Sequence, residues 1–593
     1  MPVEYQPFFV LTILFLSFFL IYKEYLKPSL SFLLAIVIFA IVGILDTEHI
    51  LAGFSNSSII VIILLIVITA GLRKSFRLEL IFDAIFKKSK TYRNFLLRMM
   101  AQVAILSSMI NNTPVVALMT PYVYDYGRKN NIAPSKLLIP LSYATIMGGM
   151  ITLIGTSTTL VLNGFIIEAG VKEFKFDDLL IIGLAVTIIG ILFIAFIGHR
   201  LLPNHTDSIQ DFSKNQRKYI VETSLKSNSP LIQKTVIEAG LRNLQGVYLV
   251  EILRMGKVLS PVYPMEIIEK DDILFFAGDT NNIMDLINTS KGLVLPDKAS
   301  EYHKDKTEVI EAVIAEFSSI IGKTVKEADF RNRYDAAIIA VHRNGEKISG
   351  KIGDIEIKPS DVLLLYSGND FTNRVDNYRD LYVINKVREI ADAGKKKYYA
   401  LGLMFIGATV LFITKGLTLF PSLLIIFTIM AVFGLITIQD IRRELDFNLI
   451  GILVFSLAIG QAMIISGAGV IIAEWMIDLL SPVGRTAILI GLILVTNLIT
   501  SLIGNVGAVS ITFPVALGIS QSMGIDGTPY FLGIAYAASA AFITPFSYQT
   551  NLIIYGPGGY NLKDFARIGL PITLIYLTIA FFTILLLYND VLF

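Results

Sequence analysis

The chain has 593 residues, of which 54% are hydrophobic and 17% are charged, a balance that requires a lipid solvent rather than water. Its net charge of +2 gives no basic field for nucleic acid, and the absence of cysteine excludes thiol catalysis, disulfides and thiolate metal sites. Residues 201–397 carry most of the charge, between long apolar regions at 7–200 and 399–593. We therefore expect two membrane regions separated by a soluble insert.

The two apolar regions contain the same series of hydrophobic stretches. A transmembrane helix needs about 20 apolar residues to cross about 30 Å of hydrocarbon. The first region provides spans at 7–22, 29–45, 57–72 and 179–198, and two interrupted stretches, 95–127 (broken near Asn111) and 137–170 (broken near Gly155). The second provides spans at 399–414, 419–437, 447–466 and 568–588, and interrupted stretches at 486–523 (broken near Asn505) and 529–557 (broken near Ser547). The common order predicts an internal duplication.

Single residues and loop charges support this duplication and give it an orientation. Asn112 and Pro121 correspond to Asn505 and Pro514, each 393 positions later. The loop at 73–93 is rich in Lys and Arg, which predicts a cytoplasmic location for this loop and for the insert. The two repeats then have opposite orientations. In secondary transporters, inverted repeats with paired broken helices place the substrate site near the bilayer midplane.

The four breaks are short, polar and free of charge. They read NNTP at 111–114, GTSTTL at 155–160, GNVGA at 504–508 and SYQTNL at 547–552, with no Asp, Glu, His, Lys or Arg. Helices that begin at Asn112 and Asn505 would direct free N–H groups toward an anion, while hydroxyl and carbonyl oxygens suit sodium. The lack of an ionisable relay argues against proton coupling. The alternative is that these small residues only allow close helix packing.

The soluble insert contains a second duplication with an offset of 89. Lys234-Thr235 and Arg254 recur as Lys323-Thr324 and Arg343. Each copy predicts strands and a short helix, KTVIEAGLR or KTVKEADFR, which gives two α+β domains without a phosphate-binding loop. Regulation or assembly is therefore expected, with an inert spacer as the alternative. Arginines that could meet an anionic regulatory ligand are Arg242, Arg254, Arg331 and Arg343.

The motifs at 111–121, 155–164, 504–514 and 547–556, followed by YGPGGYNLKDFARIGLP at 555–571, resemble those of a known family. The chain resembles the divalent-anion:sodium symporters, in the branch with two TrkA-C (RCK-C) domains between the halves. The resemblance implies an elevator-type transporter, not an enzyme, that is polytopic, α-helical and usually homodimeric. It implies transmembrane repeat 1 at 1–200 (re-entrant hairpin 95–127), RCK-C domains at 206–292 and 304–390, and transmembrane repeat 2 at 398–593 (re-entrant hairpin 486–523).

The same resemblance implies binding residues. The substrate-binding set is Asn111, Asn112, Thr113, Thr156, Ser157, Thr158, Gly504, Asn505, Val506, Tyr548, Gln549 and Thr550. The sodium-binding set is Ser107, Asn112, Gly155, Thr500, Asn505 and Ser547. Sodium ions would be the coupling ions, and a cytoplasmic nucleotide or metabolite is the candidate ligand of the RCK-C domains.

The chain departs from the family pattern in ways that bear on substrate. Dicarboxylate members carry proline pairs in the two loops where this chain has TST and YQT. The family's hairpin tips resemble Ser-Asn-Thr, and the second hairpin tip of this chain, Gly504, Asn505 and Val506, lacks both hydroxyls of that motif. We therefore expect sodium-coupled symport of a small divalent anion, with sulfate favoured and a dicarboxylate as the alternative. A cation channel or uptake subunit regulated by RCK domains is more remote, because no TVGYG-like filter is present. The expected location is the plasma (inner) membrane, with the soluble domains in the cytoplasm.

Overall fold

The computed structural model describes residues 2–23, 25–75, 91–205, 220–241, 244, 247–255, 257–259, 261–278, 292–294, 309–315, 318–343, 346–348, 352–367, 370–378, 380–384, 419–438, 441, 445 and 447–593. The predicted span at 399–414, most of the basic loop at 73–93, and Arg242 lie outside these residues.

The first apolar region forms helices interrupted where the sequence turns polar. They are α1 (Gln6–Tyr22), α2 (Pro28–Val42), α3 (Thr47–Ser55), α4 (Ser57–Ser75), α5 (Tyr92–Met109), α6 (Asn112–Lys129), α7 (Leu138–Gly149), α8 (Ser157–Glu168) and α9 (Phe176–Phe196). Helices are the expected form because they satisfy their backbone groups internally in lipid. The gaps between α5 and α6 and between α7 and α8 fall at the two predicted breaks.

The insert forms two five-stranded antiparallel sheets. The first inserted unit (220–294) contains β1 (Ile220–Leu225), β2 (Val247–Arg254), β3 (Lys257–Leu259), β4 (Ile273–Gly278) and β5 (Leu293–Val294) in the order β3-β2-β4-β1-β5. The second inserted unit (309–384) contains β6 (Val309–Ile314), helix α10 (Phe330–Tyr334), β7 (Ala336–Arg343), β8 (Glu346–Lys347), β9 (Val362–Ser367), helix α11 (Phe371–Tyr378) and β10 (Leu381–Val383). Its order, β10-β6-β9-β7-β8, is the same topology read from the opposite edge.

The second apolar region follows the plan of the first. It contains α12 (Leu419–Val432), α13 (Phe447–Ile465), α14 (Ala468–Leu480), α15 (Arg485–Ile503), α16 (Asn505–Met523), α17 (Thr528–Ser539), α18 (Gln549–Tyr555), α19 (Leu562–Leu587) and α20 (Asn589–Leu592). Among the described residues, seven helices are long and apolar enough to cross a membrane. Phe15, Ile41 and Leu586 are each more than 75% exposed, as expected of side chains that face lipid.

The short helix predicted around KTVIEAGLR is not formed by the described residues of that segment, whereas a short helix, α10, begins at Phe330 near the end of KTVKEADFR. Most of the remaining residues of both segments form successive turns. Thr235 and Glu238 exchange the hydrogen bonds of a helix start, with N···O distances of 3.0 and 3.2 Å. The chain then turns at Gly240 in one copy and Asp329 in the other, both with positive φ, so the helix does not propagate.

Two of the arginines considered for an anionic ligand are held inside their own units. Arg254 donates to both carboxylate oxygens of the fully buried Asp272 at 2.9 Å, and Arg343 donates to those of Asp361 at 2.7 and 2.8 Å. These hydrogen bonds raise the pKa of both guanidinium groups. Arg254 and Arg343 therefore stabilise the sheets. A regulatory anion would have to compete with a buried carboxylate at either position.

Candidate functional site

The two hairpins turn at equivalent places, and each return helix begins with an asparagine. In the first hairpin the Asn111 side chain caps α6 and accepts from the Thr113 N–H at 3.4 Å. In the second, Gly504 connects α15 to α16 with φ of +82°, a backbone conformation that favours glycine. Asn112 and Asn505 are the first residues of α6 and α16, and both are buried.

At the first tip, oxygen atoms from several elements surround the amide of Asn112. The Ser107 hydroxyl contacts this amide and donates to the Thr145 carbonyl of α7 at 2.9 Å. When the amide nitrogen faces the carbonyls of Thr145 and Gly155, at 2.9 and 3.2 Å, its oxygen accepts from the Tyr548 hydroxyl at 2.9 Å. Ser107, Thr145 and Gly155 therefore present neutral oxygens to one buried point. Neutral oxygen ligands suit a hard cation such as sodium.

Glycine residues make this close approach possible. A Cβ on Gly155 would lie 2.4 Å from the Gly149 carbonyl oxygen and 2.7 Å from the Ser107 carbonyl oxygen. A Cβ on Gly149 would lie 2.4 Å from the nearest atom of the Asn112 side-chain amide. Any side chain at these two positions would therefore push the break between α7 and α8 away from the hairpin tip.

The second tip repeats the hydroxyl, amide and carbonyl of the first. The Thr500 hydroxyl lies within hydrogen-bonding distance of two oxygens, the amide oxygen of Asn505 at 2.9 Å and the Ala538 carbonyl of α17 at 2.7 Å. These residues lie 393 positions after Ser107, Asn112 and Thr145. The predicted sodium ligand Ser547 directs its hydroxyl to the Thr544 carbonyl at 2.8 Å. Its carbonyl oxygen lies nearer the tip, 3.8 Å from where a Cβ on Gly504 would be.

The first tip and the second loop contact each other across the repeats. The Thr113 hydroxyl donates to the side-chain oxygen of Gln549 at 3.1 Å, beside the contact between Asn112 and Tyr548. Val506, which corresponds to Thr113, instead packs against the apolar core. The first tip therefore contacts the second loop through side-chain hydrogen bonds. The second tip instead lies near the same loop at the backbone of Gly504 and the carbonyl oxygen of Ser547.

The first loop, residues 155–160, is stabilised by hydrogen bonds among its own residues at the start of α8. Thr156 is the N-cap of this helix and accepts from the Thr158 N–H at 3.2 Å, and it also donates to the Thr158 hydroxyl at 3.2 Å. Ser157 is the first residue of the helix and is less buried than either threonine. All three predicted residues therefore lie at the helix N-terminus, where free N–H groups and hydroxyls can meet an anion.

Sequence reasoning missed Ser142, whose hydroxyl links a broken helix of the first repeat, α7, to one of the second repeat, α18, by hydrogen bonds. The hydroxyl of this fully buried residue of α7 donates to Thr550 at 2.9 Å and to the amide oxygen of Asn551 at 2.7 Å. The Asn551 amide nitrogen donates to the Ala541 carbonyl at 2.7 Å, which fixes the second break. Ser142 corresponds to Ala535 in the second repeat, so comparison of the repeats does not reveal it. Its only sequence signal is a hydroxyl in an apolar stretch.

Family models match almost the whole chain. The model described as citrate transporter matches residues 16–322 and 409–593, and the model of the TrkA-C domain matches residues 309–376. The chain belongs to the citrate transporter family. This membership confirms the predicted transporter class and excludes the enzyme class, and it agrees with a polytopic helical fold that carries inserted soluble domains.

Two relatives align with this chain over nearly their whole length, and a third aligns over less than half of its length. A putative sulfur deprivation response regulator of Chlamydomonas reinhardtii is 31% identical over 89% of this chain and 93% of its own length. An uncharacterized transporter of Synechocystis is 28% identical over 97% of this chain and 96% of its own length. Sodium/sulfate cotransporter 2 of Chlamydomonas reinhardtii is 27% identical, and the match covers 65% of this chain and 46% of that protein.

Proposed function

We propose that this protein is a sodium-coupled symporter of a small divalent anion, with sulfate as the favoured substrate. The observation that carries the proposal is the pair of equivalent oxygen clusters at the hairpin tips. Each places a hydroxyl, an asparagine amide and a helix carbonyl together in a buried position: Ser107, Asn112 and Thr145 in one, and Thr500, Asn505 and Ala538 in the other.

Neutral oxygens favour sodium over the proton as coupling ion. Sodium is held by hydroxyl, amide and carbonyl oxygens, whereas proton coupling usually requires a titratable carboxylate or histidine within the membrane. The four breaks contain neither. Coupling by sodium also agrees with the relatives described as sodium/sulfate cotransporters.

Helix N-termini and hydroxyls support binding of the anion. Helices α6, α8 and α16 all begin at the breaks, and their first N–H groups and positive dipole ends favour negative charge. Thr113 and Thr158 add hydroxyls, and Tyr548 and Gln549 close the site from the second repeat. These groups are mainly donors, which suits fully ionised sulfate.

A dicarboxylate or citrate is the second candidate substrate. The family model is described as citrate transporter, which favours a carboxylate. The loops TST at 156–158 and YQT at 548–550 lack the proline pairs that accompany dicarboxylate transport in similar proteins. For this reason we place sulfate first.

The proposal extends to mechanism and regulation. The two hairpins and broken helices would form the transport domain of an elevator mechanism, within a homodimer in the plasma (inner) membrane. The inserted units would be RCK-C domains in the cytoplasm that regulate transport. The contact of Glu311 in the second unit with Tyr124 in α6 supports a role beyond that of a spacer.

Uptake in proteoliposomes tests the proposal. Radioactive sulfate and succinate would be supplied separately to the purified protein with an inward sodium gradient, with choline in place of sodium, or with an imposed pH gradient. We expect sodium-dependent sulfate uptake that excess unlabelled sulfate inhibits more strongly than succinate or citrate does. Asn130→Ala, which changes an exposed asparagine at the end of α6, is the matched control for variants of Asn112.

Three outcomes would contradict the proposal in different ways. Uptake that is unchanged in choline and follows the pH gradient would exclude sodium coupling. Preference for succinate or citrate would select the second candidate substrate. A potassium conductance without anion uptake would instead indicate a channel.

A further inference from the structure

The second inserted unit contacts a helix that starts at the proposed site. The Tyr124 hydroxyl of α6 donates to a carboxylate oxygen of Glu311 in β6 at 2.8 Å. Glu311 is only 1% exposed, so this charge is enclosed at the junction between the unit and the membrane helices. Asn112, in the proposed site, is the first residue of the same helix.

The same unit also contacts a second helix that starts at the site. The Ser360 hydroxyl donates to the Leu552 carbonyl of α18 at 3.1 Å. A Cβ on Gly556, immediately after α18, would lie 2.5 Å from the Ser360 carbonyl oxygen and 2.7 Å from a methyl carbon of Val362. The unit and the end of α18 are therefore in close contact, at a point where only glycine fits.

These two helices meet each other at their other ends. Near the starts of α6 and α18, Asn112 contacts Tyr548 and Thr113 donates to Gln549. The second inserted unit therefore holds the far ends of the same two helices, one from each repeat. Val313, Val362 and Ile384 extend the contact, because they belong to the same buried apolar cluster as the membrane helices.

The first inserted unit has the same fold, and Glu222 and Ile273 occupy the positions of Glu311 and Val362, but two other positions of the equivalent face differ. Ser224 and Asp271 occupy the positions of Val313 and Ser360, and Asp271 is exposed. This unit instead contacts the second unit, where Arg331 donates to the carbonyls of Val262 at 2.7 Å and Leu249 at 3.0 Å. The residues at the positions of Val313 and Ser360 therefore distinguish the second unit from the first.

We infer that the second inserted unit is a clamp that holds α6 and α18 together, and that the first hairpin separates from the second break only when the unit releases α18. This inference rests on the proposed function, because it assigns a conformational control to the proposed anion site. The unit thereby limits how often the site opens. Loosening the contact should raise turnover while changing the KM for the anion less.

Three variants loosen the clamp by different means. Gly556→Ala places a methyl group against the backbone of Ser360, Ser360→Asp introduces the residue of the first unit, and Tyr124→Phe removes only one hydroxyl. Gly353→Ala is the matched control, because a Cβ at this position in the same unit would meet only the Cβ of Lys326, at 4.0 Å. Tyr124→Phe is the mildest change and keeps the test valid if either larger change prevents folding.

Spin labels report the contact directly. The chain has no cysteine, so Asn130→Cys and Lys326→Cys introduce two unique labelling sites, at the exposed end of α6 and on the exposed surface of the second unit. We expect double electron–electron resonance in nanodiscs to give one main distance in the parent chain and in Gly353→Ala. Gly556→Ala and Ser360→Asp should broaden or lengthen it.

Turnover of sodium-driven uptake in proteoliposomes completes the test. We expect it to rise at least about threefold in the two variants whose label distance changes, which corresponds to a modest shift between conformations. A changed distance with unchanged or lower turnover would overturn the clamp, as would an unchanged distance in both variants. Failure of the parent chain to take up sulfate or carboxylates would instead overturn the proposed function, while the label distances would still report the contact.

Discussion

The two hairpin tips agree in one set of residues and differ in another. Both place a hydroxyl, an asparagine amide and a helix carbonyl in the same hydrogen-bonded arrangement, at Ser107 and Asn112 in one repeat and at Thr500 and Asn505 in the other. At the next position the first tip has Thr113, which donates to Gln549, whereas the second has the partly buried Val506, which packs against the apolar core.

This difference indicates which part of the site depends on the internal symmetry. The oxygen clusters that we assign to sodium are nearly equivalent in the two repeats. The side chains that we assign to the anion come mainly from the first tip and the second loop. We therefore expect the two tips to contribute similarly to sodium dependence and unequally to anion affinity.

Removal of either asparagine should have the largest effect and test the equivalence of the tips. Asn112→Ala and Asn505→Ala should each reduce sodium-driven uptake about a hundredfold, because each removes a buried amide from a proposed sodium cluster together with its hydrogen bonding to a neighbouring hydroxyl. Uptake in proteoliposomes is the measurement, with Asn130→Ala as control and the melting temperature as a check of folding. A large loss in only one of the two variants would show that the clusters are not equivalent.

The next largest effect on sodium dependence is expected when Gly155 of the first loop and Ser547 of the second loop are each replaced by the other's residue type. Gly155→Ser should raise the sodium concentration needed for half-maximal uptake about tenfold or more, because overpacking at this close approach costs about 1–3 kcal/mol. Ser547→Gly should have a smaller effect, because the Ser547 hydroxyl bonds within its own loop and its carbonyl remains. Sodium titrations of uptake would measure both. If both variants raised the required sodium concentration equally, steric crowding at Gly155 would not explain the effect.

The hydroxyl of the first tip should matter more for the anion than for sodium. Thr113→Val keeps the shape of the side chain but removes one hydrogen bond, so the KM for sulfate should rise about fivefold to tenfold. The reciprocal change, Val506→Thr, should alter this KM less than about twofold, because the partly buried Val506 packs against apolar side chains and not against the second loop's polar side chains. A sulfate titration at saturating sodium would separate the two. A stronger effect of the second variant would reverse the assignment.

The smallest effect is expected where the oxygen atom is kept. Thr500→Ser retains the hydroxyl and removes one buried methyl group, so sodium dependence should stay within about twofold while stability falls by about 1 kcal/mol. Thr500→Val, which has similar volume and no hydroxyl, should weaken sodium dependence strongly. If the two variants behaved alike in sodium titrations, the packing of Thr500 and not its oxygen would matter.

The sequence was sufficient for features that depend on local chemistry. Runs of apolar residues predict membrane helices, because their side chains require lipid, and polar interruptions predict the helix ends at Asn112 and Asn505. The family resemblance implied that Thr500 is the counterpart of Ser107, and the two residues are 393 positions apart. The offset of 89 predicted two units with similar strands, although most of each segment predicted to contain a short helix forms turns.

Only the tertiary structure decided which distant residues meet. The contacts of Asn112 with Tyr548, of Ser142 with Asn551 and of Glu311 with Tyr124 join residues between 187 and 436 positions apart. No periodicity encodes such pairs, because each depends on how helices from different repeats pack. Likewise, the sequence indicates Arg254 and Arg343 as candidates to bind a ligand, but in the folded units they bind Asp272 and Asp361. Local patterns therefore fixed where the chain is helical and where it breaks, while packing alone determined which side chains face one another across the breaks.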